Sequence, residues 1–150
     1  MTGRHPTREA KIVVNILRGA NLLSRTGGKL AAQVGLSSVK QWLLLGTVAE
    51  FPDISLSELR QNLRVTKQDI TGMVDRLQQG GFVITQTDAG DRRVTHVRLT
   101  VAGREVLGRL DLLAALSNQT IFALFSAVEM TTLEHLLERL VDHLSEISPD

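Results

Sequence analysis

Two stretches of this chain hold side chains whose types and spacing suit recognition of a polyanion. One runs from Asp88 to Thr100, DAGDRRVTHVRLT, where an acidic, glycine-bearing turn leads into the adjacent arginines Arg92 and Arg93. The other is TKQDITGMVDRLQQ, from Thr66 to Gln79. With Ile70 at the centre of a helical wheel, Met73, Val74 and Leu77 form one apolar stripe. Gln68, Gly72, Asp75 and Gln79 then point away from it, with Lys67 and Thr71 beside them. Amides and cations can bond base edges in a major groove, a hydroxyl can take a phosphate or a base, and glycine permits close approach. Asp75 would be repelled by phosphate, so it is expected to pair with Arg76 or Arg60. A guanidinium keeps its charge at any physiological pH and sheds water more easily than an ammonium. In a narrow, negative minor groove Arg93 is the candidate, with Arg92 on phosphate and Asp91 fixing a rotamer.

The elements around these stretches follow from periodicity and caps. Ile12, Ile16, Leu17, Ala20 and Leu23 repeat at helical spacing from Arg8 to about Val34, with Gly27-Gly28 expected to weaken or bend the helix and Gly35 to end it. Ser38-x-x-Gln41 has capping-box spacing and opens a second, mostly apolar helix that Pro52 ends. Ser55-x-x-Glu58 caps a short helix with a Leu56, Leu59, Leu63 stripe. Two or three residues later Thr66-x-x-Asp69 caps the next, closed by Gly80-Gly81. So tight a connection predicts a helix-turn-helix. FVITQT and VTHVRLT read as strands joined by TDAGDRR. Thr100 can cap a helix from Val101 to about Phe125, and Thr131-x-x-Glu134 is expected to start the last one. Its Leu133, Leu137, Leu140, Leu144 and Ile147 make a seam of two heptads.

Composition narrows the possibilities further. The 150 residues are 43% hydrophobic with only four Phe and one Trp, so the core must be aliphatic; there is no cysteine, which excludes disulfides and thiol switches. Net charge is +1, but residues 1–98 hold 14 Lys/Arg against 8 Asp/Glu, while residues 99–150 hold 3 against 8. A basic front and an acidic back can present a positive face to a polyanion. MTGRHPTREAK lacks the apolar stretch of a secretory signal, and LLAALSNQTIFALFSAV, Leu112 to Val128, carries SNQT at its middle. That run is expected to be a buried helical segment, and the protein cytoplasmic, with no membrane partner.

A helix-turn-helix followed at once by a hairpin predicts a mainly α winged-helix fold of the α+β kind. The sequence resembles the MarR (multiple antibiotic resistance regulator) family. The resemblance rests on L-x-V-T-K-Q-x-I-T-x-x-V-D-R-L from Leu63 to Leu77, Gly80-Gly81-Phe82-Val83, and D-R-R-x-x-x-x-x-L-T-x-x-G from Asp91 through Gly103. It implies a single MarR-like domain over 1–150: dimerisation helices at 1–34 and 101–150, and a DNA-binding lobe at 38–100. It further implies a homodimer reading a pseudo-palindromic operator in double-stranded DNA, usually a repressor released by a small, often aromatic or anionic ligand. Arg93 resembles the family's minor-groove arginine and Asp91 its partner. The leucine seam and the apolar first helix support a dimer independently, since they hold more apolar surface than a lone domain of this length needs.

The candidate DNA contacts are therefore Thr66, Lys67, Gln68, Thr71, Arg92 and Arg93, oriented by Asp91, with Trp42 a candidate for the ligand pocket. Two other classes remain open. One is a winged-helix protein-interaction module without DNA binding. The other is a metal-responsive sensor using His135 and His143, although His5, His96, His135 and His143 show no HExxH or Cys/His framework and a charged solvent face explains the last helix as well. No catalytic constellation and no cofactor motif stands out, so the chain is not expected to be an enzyme.

Overall fold

A computed structural model describes residues 6–148; His5 lies outside them, as do the other ends of the 1–34 and 101–150 segments. The element order is α1 (Arg8–Gln33), α2 (Val39–Glu50), α3 (Leu56–Leu63), α4 (Lys67–Gln79), β1 (Val83–Thr87), β2 (Thr95–Leu99), α5 (Val101–Phe122) and α6 (Ala127–Ile147). The strands pair antiparallel from Val83 with Leu99 to Thr87 with Thr95. A bridge between Ser55 and His96 ties the hairpin to the linker before α3.

Each helix of the lobe starts where its cap sits. The Ser55 hydroxyl accepts the Glu58 N–H at 3.2 Å while the Glu58 carboxylate accepts the Ser55 N–H at 2.8 Å, a complete capping box. That carboxylate is held below its ordinary pKa, first by the Ser55 N–H and then by the Ser55 hydroxyl. Replacing Ser55 with alanine is expected to cost about 1 kcal/mol, read as a lower urea midpoint at unchanged slope; no change would show that α3 does not depend on its cap. Ser38 caps α2 only by half: Gln41 Oε1 accepts the Ser37 N–H at 2.8 Å, not that of Ser38. Buried Gln41 thus spans the α1–α2 turn, where Gly35 takes the left-handed φ of +86°.

The core is aliphatic, as expected, and belongs to the lobe. Leu44, Leu45, Leu59, Ile70, Leu77, Val83, Val97 and Leu110 are fully buried. Gly27-Gly28 does not interrupt α1, which runs unbroken from Arg8 to Gln33. Gly27 is instead the point where α2 packs closest. A Cβ there would lie 2.7 Å from Val39 Cγ2 and 4.0 Å from the Trp42 ring.

Two expectations for the C-terminal third are corrected. The stretch Leu112–Val128 is not one buried helical segment. It covers the end of α5, a break and the start of α6, the two helices meeting at 107°. Leu112 is 73% exposed and Leu124 and Val128 are similarly open. The last helix also starts earlier than Thr131. Ser126 accepts the Glu129 N–H and receives its carboxylate in return, a second complete capping box. Thr131 lies inside the helix, its hydroxyl donating to the Ala127 carbonyl at 3.1 Å. Two S/T-x-x-E patterns competed, and the one next to the turn at Phe122–Phe125 prevails because only there are N–H groups unpaired. No single described helix is long and apolar enough to cross a membrane.

Candidate nucleic-acid interface

The α3–α4 connection is three residues long. Arg64 takes the left-handed conformation, φ +54° and ψ +47°, and its N–H returns to α3 carbonyls, turning the chain sharply into Thr66. The Thr66 hydroxyl accepts the Asp69 N–H at 3.1 Å and so starts α4. Ile70, Met73, Val74 and Leu77 are buried, as the wheel predicts, which fixes the rotation of the helix. Thr66, Lys67, Gln68 and Thr71 therefore stand exposed on the outer face of its first turns. The Thr71 hydroxyl donates to the Lys67 carbonyl at 3.0 Å, leaving its lone pairs outward.

Asp75 departs from expectation. Among the described residues it has no ion pair: Arg76 turns back along its own helix and donates from Nε to the Gly72 carbonyl at 3.0 Å. The guanidinium lies over Gly72, 3.2 Å from where a Cβ would be. The space that glycine opens is thus taken by a cation instead of being left for a close approach.

The wing is ordered by two aspartates. Asp88 Oδ2 accepts the N–H groups of Gly90 at 2.8 Å and Asp91 at 2.9 Å, building the tight turn. Asp91 accepts the Arg93 N–H at 3.0 Å and both ends of its guanidinium, Nε and Nη2, at 3.1 Å. The Arg93 side chain nevertheless stays 90% exposed. Its charge is positioned but not hidden. The pairing holds Asp91 below the usual carboxylate range, chiefly through the guanidinium and then the Arg93 N–H, and raises Arg93 in turn. Arg92, beside it, is exposed too.

Between α3, α4 and the wing lies a groove of about 550 Å³ lined by Ser57, Arg60, Lys67, Thr71, Arg93 and Thr95 among others. Three of the residues singled out by sequence, Lys67, Thr71 and Arg93, meet there. Thr66 and Gln68 lie on the same face of α4, while Arg92 is outside the groove.

Sequence reasoning missed four residues. His96 places Nε2 2.9 Å from Asp88 Oδ1 and Nδ1 2.6 Å from the Asp53 carbonyl. Arg98 pairs with the Asp53 carboxylate and donates to Gln86 at 2.8 Å. Asp53, at φ +69°, thereby anchors the α2–α3 linker to β2. Asp88 in T-D-A-G-D had a turn signature; the other three had none, because their partners lie about forty residues away.

A second cavity, of about 520 Å³, opens between α2, the end of β2 and α5, lined by Val48, Pro52, Arg98, Arg104, Leu107 and Asp111 among others. Trp42 lies elsewhere, half-buried at the α1–α2 contact. Among the described residues no three potential metal ligands converge; His143 faces Glu146 at 3.8 Å, and both are exposed.

A helix-turn-helix whose second helix shows a polar outer face, flanked by a hairpin with an aspartate-held arginine, defines a winged helix-turn-helix protein. The MarR family model matches residues 34–94. The chain is 28% identical over 144 residues to the transcriptional activatory protein BadR of Rhodopseudomonas palustris, covering 91% of this chain and 80% of that one. It is 26% identical over 102 residues to the homoprotocatechuate degradative operon repressor of Escherichia coli, 68% and 69% of the two chains. Its fold superposes on the transcriptional regulator SlyA with TM-score 0.83 at 25% identity, over 90% of this chain and 94% of that one. It also matches Sco3205 of Streptomyces coelicolor, a MarR family regulator solved in complex with DNA, with TM-score 0.83 at 22% identity, 94% and 91% covered. The chain has the winged-helix fold of these MarR-type proteins, and the relatives it resembles are named transcriptional regulators.

Proposed function

We propose that the protein works as a homodimer bound to a pseudo-palindromic operator in double-stranded DNA. In this reading residues 38–100 form the DNA-binding lobe, and the segments 1–34 and 101–150 pair with a second copy. α4 enters the major groove, with Gln68, Lys67 and Thr71 on bases and phosphates and Thr66 at the backbone. The wing reaches the flanking minor groove with Arg93, and Arg92 neutralises a phosphate. Two-fold symmetry puts the half-sites about one helical turn, roughly 10 bp, apart. The observation that carries this reading is Arg93, clamped by Asp91 yet almost fully exposed beside Lys67 and Thr71. Preorganisation of that kind lowers the entropy lost on binding.

The test is a fluorescence anisotropy titration against duplex DNA from upstream of its own gene. Arg93→Ala is expected to lose on the order of tenfold to a hundredfold in affinity and to relax preference at the flanking A/T positions. Unchanged affinity would end the wing assignment. Salt separates this reading from a protein-interaction module: log affinity should fall with log salt by about 0.9 per phosphate contact.

The repressor reading, with release by a small aromatic or anionic effector, is supported by the cavity beside Val48 and Leu107, where Arg104 offers a cation while Arg98 is paired with Asp53. Trp42 on α2 supplies the readout, since a ligand that shifts α2 against α1 changes its fluorescence. A reporter assay decides direction: a repressor gives higher expression when the gene is deleted.

A further inference from the structure

His96 joins the wing to the rest of the lobe. Its Nδ1 lies 2.6 Å from the Asp53 carbonyl and its Nε2 2.9 Å from the Asp88 carboxylate. Both partners are acceptors, so both ring nitrogens must carry hydrogen for both contacts to hold. A neutral ring has one N–H, and whichever nitrogen loses it sets a lone pair against an oxygen.

The contacts continue towards the groove. Asp88, held by His96, uses its other oxygen on the N–H groups of Gly90 and Asp91, and Asp91 clamps Arg93. A line of hydrogen bonds thus runs from the α2–α3 linker to the wing arginine. The charged groups facing the ring are Asp88 from the wing, Asp53 from the linker, Glu58 from α3, and Arg98 on its own strand, whose charge is taken up by Asp53. The surroundings are net acidic.

We propose that His96 is a positioning residue for DNA binding: an imidazolium that pins the wing base to the linker and aims Arg93, so that affinity for DNA weakens when the ring gives up a proton. This rests on the wing reading above. The ring is held above the ordinary histidine pKa, first by the Asp88 carboxylate and next by the Asp53 carbonyl. Its contribution is therefore fully present below the pKa of an unfolded histidine and is lost as pH rises through the higher, folded value. At low pH the same line fails from its other end, because Asp88 is held down mainly by His96 and loses its charge only in acid.

The experiment has two arms. In the free protein, the His96 ring is titrated by NMR and amide exchange is followed at Gly90 and Asp91. The expected result is a midpoint above the ordinary histidine value, with amide protection at Gly90 and Asp91 falling as the ring deprotonates. In the second arm DNA affinity is measured from about pH 6 to about pH 9, across the range where such a ring titrates. Wild type should lose about tenfold beyond the common background, and His96→Gln, whose amide can donate at one end only and does not titrate, should be weak and flat. Should His96→Gln fold poorly, Asp88→Asn should shift the wild-type midpoint to lower pH. Parallel profiles for wild type and His96→Gln, or a ring midpoint at the ordinary histidine value, overturn the proposal. No DNA binding even at the acid end, with the ring and exchange behaviour as expected, overturns the wing reading and with it the role in DNA binding.

Discussion

Gly103→Ala is expected to destabilise the protein by about 3 kcal/mol or more, well beyond an ordinary substitution. A Cβ at this position would lie 2.0 Å from the Phe82 carbonyl oxygen and 3.0 Å from its carbon. The obstacle is backbone, so no rotamer change relieves it. Nor can that backbone move freely. The Phe82 carbonyl accepts the Thr100 N–H at 3.1 Å, and the Thr100 hydroxyl donates to the Gly81 carbonyl at 2.6 Å while accepting the Gly103 N–H at 3.0 Å. This junction seats α5 on the β1 entry, so strain here separates the wing from the helix that follows it. The measurement is urea unfolding at fixed protomer concentration, because dimerisation would shift the midpoint by mass action. Gly46→Ala is the control. Its Cβ meets nothing within 4 Å, and the change is expected to stabilise α2 by up to about 1 kcal/mol. Equal midpoints for Gly103→Ala and wild type would show that α5 is not packed on Phe82 as described.

The second large effect concerns assembly. Leu137→Glu with Leu144→Glu is expected to convert the protein to a monomer and to cost a hundredfold or more in DNA affinity, on the order of 10²- to 10⁴-fold. The reason is the distribution of apolar surface. Val13, Ile16 and Leu17 on α1, Leu112 and Leu116 on α5, and Leu137, Val141 and Leu144 on α6 are all exposed in the single chain. No described residue of α6 is buried. Monomers rarely leave so many large apolar side chains of three helices in water. Because both leucines are already exposed, charging them should leave the fold of the lobe intact, visible as unchanged near-native circular dichroism. A single lobe would still touch one half-site, but it loses the high effective concentration of the second. Light scattering reads the mass, and anisotropy the affinity. A double variant that remains dimeric would rule out the α6 seam as the interface.

Much of this was legible in the sequence. The caps at Ser55, Thr66 and Thr100 and the Gly80-Gly81 stop placed the starts of α3, α4 and α5 and the end of α4 to within a residue. Wheel positions alone predicted which face of α4 is buried. The Asp91–Arg93 pair was legible as well, two residues apart and at the tip of a hairpin. The failures have physical causes too. Asp75 and Arg76 are neighbours, and neighbours on a helix diverge by about 100°, so Arg76 folds back to Gly72 instead. Leu112–Val128 looked buried because apolar composition does not say whether the covering surface belongs to the same chain.

What the residues determined by themselves is therefore set by the nearest four or five positions: the starts of α3, α4 and α5, the turn, the wing, the aliphatic stripes and the arginine clamp. Hydrogen bonds and side-chain spacing at that range depend only on local geometry. Tertiary structure alone decided that His96 and Arg98 would reach Asp53, that Gly27 would be the close approach of α2, and that the faces of α1, α5 and α6 would stay bare. Such pairings follow from how whole helices stack, and no periodicity along the chain encodes which distant backbone will stand opposite a given side chain.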